Sequence, residues 1–195
     1  MGIQEAQKMN NSPASPVAQA IRERRSIRQY KSTPVPQELL LSLMNTANWA
    51  PNHALREPWR FIQYKGAARE TFTEAVLGAM SHEEREKYEI QRRKEYMTIP
   101  VHLIVVMQED PRDKQWTEDF GAVCSWIQSF QLAAWEQGLG VVWKTNPYMF
   151  APFFREAVGV APGEKIVGVL HIGYPEVIPP AKPRTPAEAR LTVHE

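Results

Sequence analysis

Residues 20–36 read AIRERRSIRQYKSTPVP, and Arg22, Arg24, Arg25, Arg28 and Lys31 place five cations in that one segment. Its centre, RRSIR, offers three guanidiniums and a hydroxyl within five residues. A guanidinium is a planar fork of donors that matches phosphate oxygens. In extended chain alternate side chains share one side, so Arg24, Ser26 and Arg28 form a compact clamp for a phosphate, with Arg25 adding charge or backbone. A solvated helix end, favoured by the helix dipole, is the plainer account of the same charges. The familiar phosphate loops, GxGxxG after a strand and GxxxxGK[ST], do not occur, which disfavours a Rossmann dinucleotide site and an NTPase. His53, His82, His102, His171 and His194 are scattered, with no HExxH and no CxxC, so no metal site is expected. No GxSxG elbow marks a serine nucleophile, and no catalytic side chain is assigned.

The clamp stands in a chain with little net charge. The 195 residues are 43% hydrophobic and 23% charged, with a formal charge of +1. That suits one domain with a full core and gives no global field for nucleic acid or an anionic membrane. Cys124 is the single cysteine, so no internal disulfide is possible, and a reducing, cytoplasmic location is the default. It lies in the apolar helical run DFGAVCSWIQSFQLAAW and reads as a packed core thiol. No apolar run reaches the ~18 residues of a membrane span. Residues 1–15 are polar and lack a signal-peptide core; they read as a flexible lead before a single domain over 16–195.

The pattern predicts the elements that position these residues. A first helix starts at Ser15-Pro16, with serine as cap and proline at the first helical position, and runs through VAQAIRERR. Leu39, Leu40, Leu43, Met44 and Ala47 give a second helix one apolar face, and Pro51 ends it. WRFIQYKG alternates as a strand, and residues 67–80 are helical. SHEEREKYEIQRRKEYM reads as a solvated helix with Glu83/Lys87 and Glu89/Arg93 at i,i+4, an exposed lid or excursion. VHLIVVM is a continuous apolar run but for His102, as in a strand buried on both faces. A long helix over 115–137, a strand VVWK, a short helix APFFREAVG and a last strand EKIVGVLHIGYP follow. Trp49 and Trp59 read as core or interface anchors. Helices interleaved with four strands give an α/β or α+β domain of two or three layers. The proline-rich tail EVIPPAKPRTPAEARLTVHE reads as an extended arm over a neighbouring subunit.

These segments together resemble the FMN-dependent nitroreductase family. RRSIR after helix one, APNHALREPW before a strand, FGAVCSWIQSFQLAAWEQGLGVVW, VAPGEKIVGVLHIGYP and AKPRTPAEA match five of its motifs in one order, across about residues 17–190. The resemblance implies an α+β fold, a three-layer α/β/α sandwich with a mostly antiparallel central sheet and an extended C-terminal arm. It implies an intertwined homodimer with two shared FMN sites. By motif, Arg24, Ser26 and Arg28, with Arg25, hold the phosphate and ribityl chain, and Arg184 joins them from the tail. Pro51, Asn52 and His53 match the loop laid over the partner's isoalloxazine. Trp143, Lys144 and Thr145 match the segment along the flavin's face or edge, where Lys144, or else Arg28, tunes its potential. Leu55 and Glu57 depart from the family's Asn and Gln, and APNH resembles the APDH of a compact putative-reductase subgroup. The implied activity is ping-pong reduction of nitroaromatics, quinones or similar flat acceptors by NADH or NADPH. A flavin-binding or storage protein with little turnover, and a flavin-dependent dehalogenase or dehydrogenase on the same fold, are the alternatives. A flavin-free anion-binding surface for a protein or RNA is disfavoured by the near-zero charge.

Overall fold

A strand with apolar residues at every position can be stable only between two layers. The structure, a computed structural model, describes residues 15–194 and places β2 (Val101–Gln108) in that situation. Val101, Leu103, Val105 and Met107 enter one core and Ile104 and Val106 the other. β1 (Trp59–Lys65) and β4 (Glu164–Gly173) flank it, and β3 (Gly140–Lys144) lies outside β4. The order is β1-β2-β4-β3, with every pair antiparallel.

On one face, α2 (Gln37–Ala47) and α5 (Asp113–Glu136) bury Leu40, Leu43, Ala47, Trp126, Ile127 and Phe130. On the other, α3 (Arg69–Gly78), α4 (His82–Thr98) and α6 (Pro152–Ala157) bury Phe72, Tyr96 and Phe154. The fold is thus α+β in three layers around an antiparallel sheet. No helix among the described residues is long and apolar enough to cross a membrane.

α1 (Pro16–Glu23) starts as its sequence predicts, with the Ser15 hydroxyl accepting from the Ala18 N–H. The lead expected over 1–15 otherwise lies outside the described residues. α2 ends at Ala47, before the expected Pro51; Asn48 caps it with a helical backbone that donates to the Met44 carbonyl, and its side chain accepts from the Trp126 indole at 2.8 Å. Leu39 and Met44 are only half-buried. α4 carries a capping box between Ser81 and Glu84. Its arginines reach further than expected: Arg93 pairs with Glu70 and Glu74 on α3 as well as with Glu89, and Arg85 lies 4.0 Å from Glu74, so α4 is tied to α3 at two points. Glu83 and Lys87 do not pair; Lys87 lies over the Tyr88 ring instead. Cys124 sits half-buried against the first core, and burial pushes its thiol up.

β2 and β4 lose register between Val105 and Val106, so Val167 is an extra residue in β4. The bulge sets Val167 and Gly168 both toward the first core, between Ile166 and Val169 in the second. Beside it the Trp143 indole donates to the Val167 carbonyl at 3.2 Å. A Cβ on Gly168 would overlap that indole, so glycine is required there.

His102 and His171 face each other across β2 and β4, fully enclosed, with their Nδ1 atoms 2.9 Å apart. His102 Nε2 lies 3.0 Å from the Tyr96 carbonyl, which only an N–H can satisfy. His102 Nδ1 is then an acceptor, and His171 donates to it. Burial is the largest cause holding His102 down to about 3, and burial with His102 and Lys144 nearby holds His171 well below its ordinary value. The sign follows: the folded state refuses protons that the unfolded chain takes near 6.5. The pair's stability is complete above that pH and is lost as pH falls toward 3. Urea midpoints should therefore fall between pH 6.5 and 4 more steeply in the wild type than in His102→Leu/His171→Leu, and equal slopes would contradict this account.

Candidate functional site

Where α1 ends, Arg24 turns into extended backbone and the chain passes along the free edge of β3. Ser26 bridges Val141, and the Ile27 N–H donates to the Val141 carbonyl at 3.3 Å. Ile27 is completely buried and sits on Gly140, where a Cβ would collide with it. Burying that side chain stabilises the crossing by about 2–3 kcal/mol. Farther on, Lys31 and Glu176 exchange backbone bonds with Tyr174 and Gln29, and the Tyr30 hydroxyl reaches the carbonyls of Ile27 (2.6 Å) and His171 (2.8 Å).

With Ile27 turned inward, its neighbours turn outward. Arg24, Arg25, Ser26 and Arg28 line one groove of about 690 Å³, and the tail closes its far side with Pro179, Pro180, Lys182 and Arg184. The structure thus brings together the four polar residues of RRSIR and Arg184. Lys182 was missed, although it stands two residues before Arg184 in the same KPR string. Among the described residues none of these cations makes an ion pair. Arg24 leans on Gln131 at 3.4 Å, but its buried Nε has no hydrogen-bond partner. Burial, then Arg25 and Arg184, push Arg24 below its ordinary value. A buried orphan donor amid unneutralised cations costs free energy that an anion removes. The donor set fits a phosphate monoester.

The other expected residues lie elsewhere. Trp143 points into the first core, whereas Lys144, one residue on, points to the opposite face. There it lines a cavity of about 450 Å³ with Arg92, Tyr96, Asn146 and Tyr148. Thr145 is exposed just beyond β3. Pro51, Asn52 and His53 do not line the arginine groove of their own chain. Pro51 and His53 are exposed, while the Asn52 side chain is engaged within its loop, donating to Ala50 O and accepting from Glu57 N at 2.9 Å. Ala54, Leu55 and Glu57 all have positive φ (53°, 51° and 46°), at roughly 1–2 kcal/mol each for a residue with a Cβ. Leu55 is 81% exposed and Trp49, just before the loop, 90% exposed, so Trp49 anchors nothing in its own chain. Arg56 holds the loop to α5 through Asp119; no sequence signal marks that pair, since the partners are 63 residues apart. Among the described residues no cluster of three His, Cys, Asp or Glu is arranged for a metal ion.

Comparisons with known proteins bear on the family and the fold. The Nitroreductase family model matches residues 21–174. A Bacillus subtilis protein named "Putative NAD(P)H nitroreductase YfhC" is 38% identical over 176 residues, covering 88% of this chain and 91% of its own. The crystal structure of a nitroreductase-like family protein from Bacillus cereus superposes with a TM-score of 0.91 at 41% identity, covering 94% of this chain and 98% of that one. The FMN-dependent nitroreductase NfnB from Mycobacterium smegmatis, solved in complex with NADPH, superposes at 0.73 over 93% of this chain and 99% of its own; at 15% identity it shares the fold.

Inorganic phosphate should raise the melting temperature of the flavin-free chain more than chloride at equal ionic strength, because it binds the folded groove only. Gly140→Val, which pushes Ile27 off β3, should abolish most of that difference. Equal shifts in the two salts, measured by differential scanning calorimetry, would remove the anion site.

Proposed function

The chain belongs to the nitroreductase family, and from that premise we propose that it is an FMN-dependent NAD(P)H oxidoreductase, working as a homodimer with shared sites. The observation that carries the reading is the groove of Arg24, Arg25, Arg28, Lys182 and Arg184 around Ser26, unneutralised and holding an orphan donor. Bound FMN supplies hydride acceptance and electron delivery. This chain's residues supply the rest. Arg24, Ser26, Arg28 and Arg184 hold the phosphate end. The edge of β3 beside the groove leads to the 143–145 segment, whose backbone and Lys144 would lie along the ring while the Trp143 indole stays packed inward.

The dimer is supported by apolar surface that one chain leaves uncovered. Leu41 and Trp49 stand exposed along α2 and its end, and Leu55 on the loop that follows. An exposed cluster of this kind marks a partner surface. The partner's copy of Pro51–His53 would then complete the site, which agrees with its absence from the groove of its own chain. No acid–base side chain is needed for nicotinamide to deliver hydride and for a flat nitroaromatic or quinone to take its place, so the cycle is ping-pong. Cytoplasmic location is part of the same reading, from the single, half-buried cysteine.

The purified protein should show oxidised-flavin absorption bands that bleach on anaerobic addition of NADH or NADPH. Bands that persist favour a storage protein, and no bands after soaking with FMN would sink the reading. Arg24→Ala/Arg28→Ala should weaken FMN binding by roughly 100-fold or more, two charged hydrogen-bonding groups being lost at about 1.5–3 kcal/mol each. Lys144→Ala should lower the flavin reduction potential, since a cation near the ring stabilises its reduced anion; an unchanged potential places Lys144 away from the ring.

A further inference from the structure

Arg56 is the fixed point of a loop that has little else to hold it. Its Nε and one Nη donate to the two carboxylate oxygens of Asp119 at 3.1 and 3.0 Å, a bidentate fork. The same Nη lies 3.4 Å from Asp110, which Arg112 holds in turn. Asp119 stands on α5 with its side chain only 3% exposed, and Gln115 one turn earlier donates to it at 2.9 Å. Arg56 is its one ion-pair partner among the described residues. The other end of the loop is tied by Asn52, through Ala50 O and Glu57 N. Between the two ties lie Ala54 and Leu55, both left-handed and both with exposed side chains.

A strained backbone persists only where its surroundings over-determine it. We propose that the Arg56–Asp119 pair positions Pro51–His53, fixing the angle at which this loop meets the flavin of the partner subunit. The inference rests on the proposed FMN dimer and adds to it a pair of positioning residues that touch neither cofactor nor substrate. Arg56 sets the conformation of the loop, and Asp119 sets Arg56. The tie is directional because two nitrogens of one plane meet the two carboxylate oxygens, and a lysine, with its donors on a single nitrogen, cannot reproduce the fork.

The test uses the FMN-loaded dimer of the wild type, Asp119→Asn and Arg56→Lys. Asparagine keeps the shape of Asp119 and loses its charge; lysine keeps the charge of Arg56, whose side chain is 38% exposed, so this second variant folds even where the first does not. Visible circular dichroism of the bound flavin, FMN dissociation constants and the rate of anaerobic bleaching by NADPH are measured together with urea midpoints. The expected result is FMN retention within about 3-fold, since the phosphate arginines are untouched, a changed visible dichroism, and bleaching slowed at least 10-fold in both variants. Lower urea midpoints with unaltered dichroism and bleaching would overturn the proposal and leave an ordinary stabilising ion pair. A wild type without flavin bands removes the proposed FMN-dependent function and the positioning role together; wild-type bands with unaffected variants remove only the latter.

Discussion

The close approach of Ile27 to Gly140 sets the geometry on which the candidate site depends. A side chain at position 140 would hold the 24–31 segment away from β3, and the bridge between Ser26 and Val141 would not form. With the segment in place, one inward residue forces its neighbours outward. The cations therefore face a common groove without any side chain having to choose that direction by itself. Apolar burial thus does the orienting, and the polar groups follow from backbone geometry. The tail depends on the same crossing, because Gln29 and Lys31 are its first backbone partners after β4.

The sheet reaches this edge through a correction of its own. β4 supplies both cores by alternation, and the extra residue interrupts it once, leaving Val167 and Gly168 side by side toward the first core. The space left at Gly168 receives Trp143, and Lys144, next in line, emerges on the other face. The buried histidine pair lies on that second face, bridging β2 and β4 behind β3. Two adjacent residues of one short strand therefore report to different environments, as alternation in a pleated strand requires.

Much of this was legible in the sequence because it depends on local pattern. The four strands, the long α5, the Ser15 cap and the charged α4 follow from periodicity and capping chemistry, and RRSIR declared itself by charge density. The grouping of Arg184 with Arg24 came from family resemblance, since no local rule joins positions 160 residues apart. What stayed hidden depends on three-dimensional closure. Asp119 looks like any mid-helix carboxylate until Arg56 is found beside it, and Lys182 looks like a tail charge until the groove is seen to have a second wall. The ion pairs of α4 were only half legible, because the partners Glu70 and Glu74 stand on another helix.

The loop between Asn52 and Glu57 has a further consequence for how such a chain can change over time. Its ends are secured by Asn52 and Arg56, while the side chains of His53, Ala54 and Leu55 project from it with almost nothing of their own chain against them. Substitutions at those three positions leave the cores undisturbed, so selection can alter what the loop presents at little risk to folding. Stability and specificity are written in separate residues here: a mutable tip stands on an immovable base, which is the arrangement a scaffold needs if one architecture is to serve many chemistries.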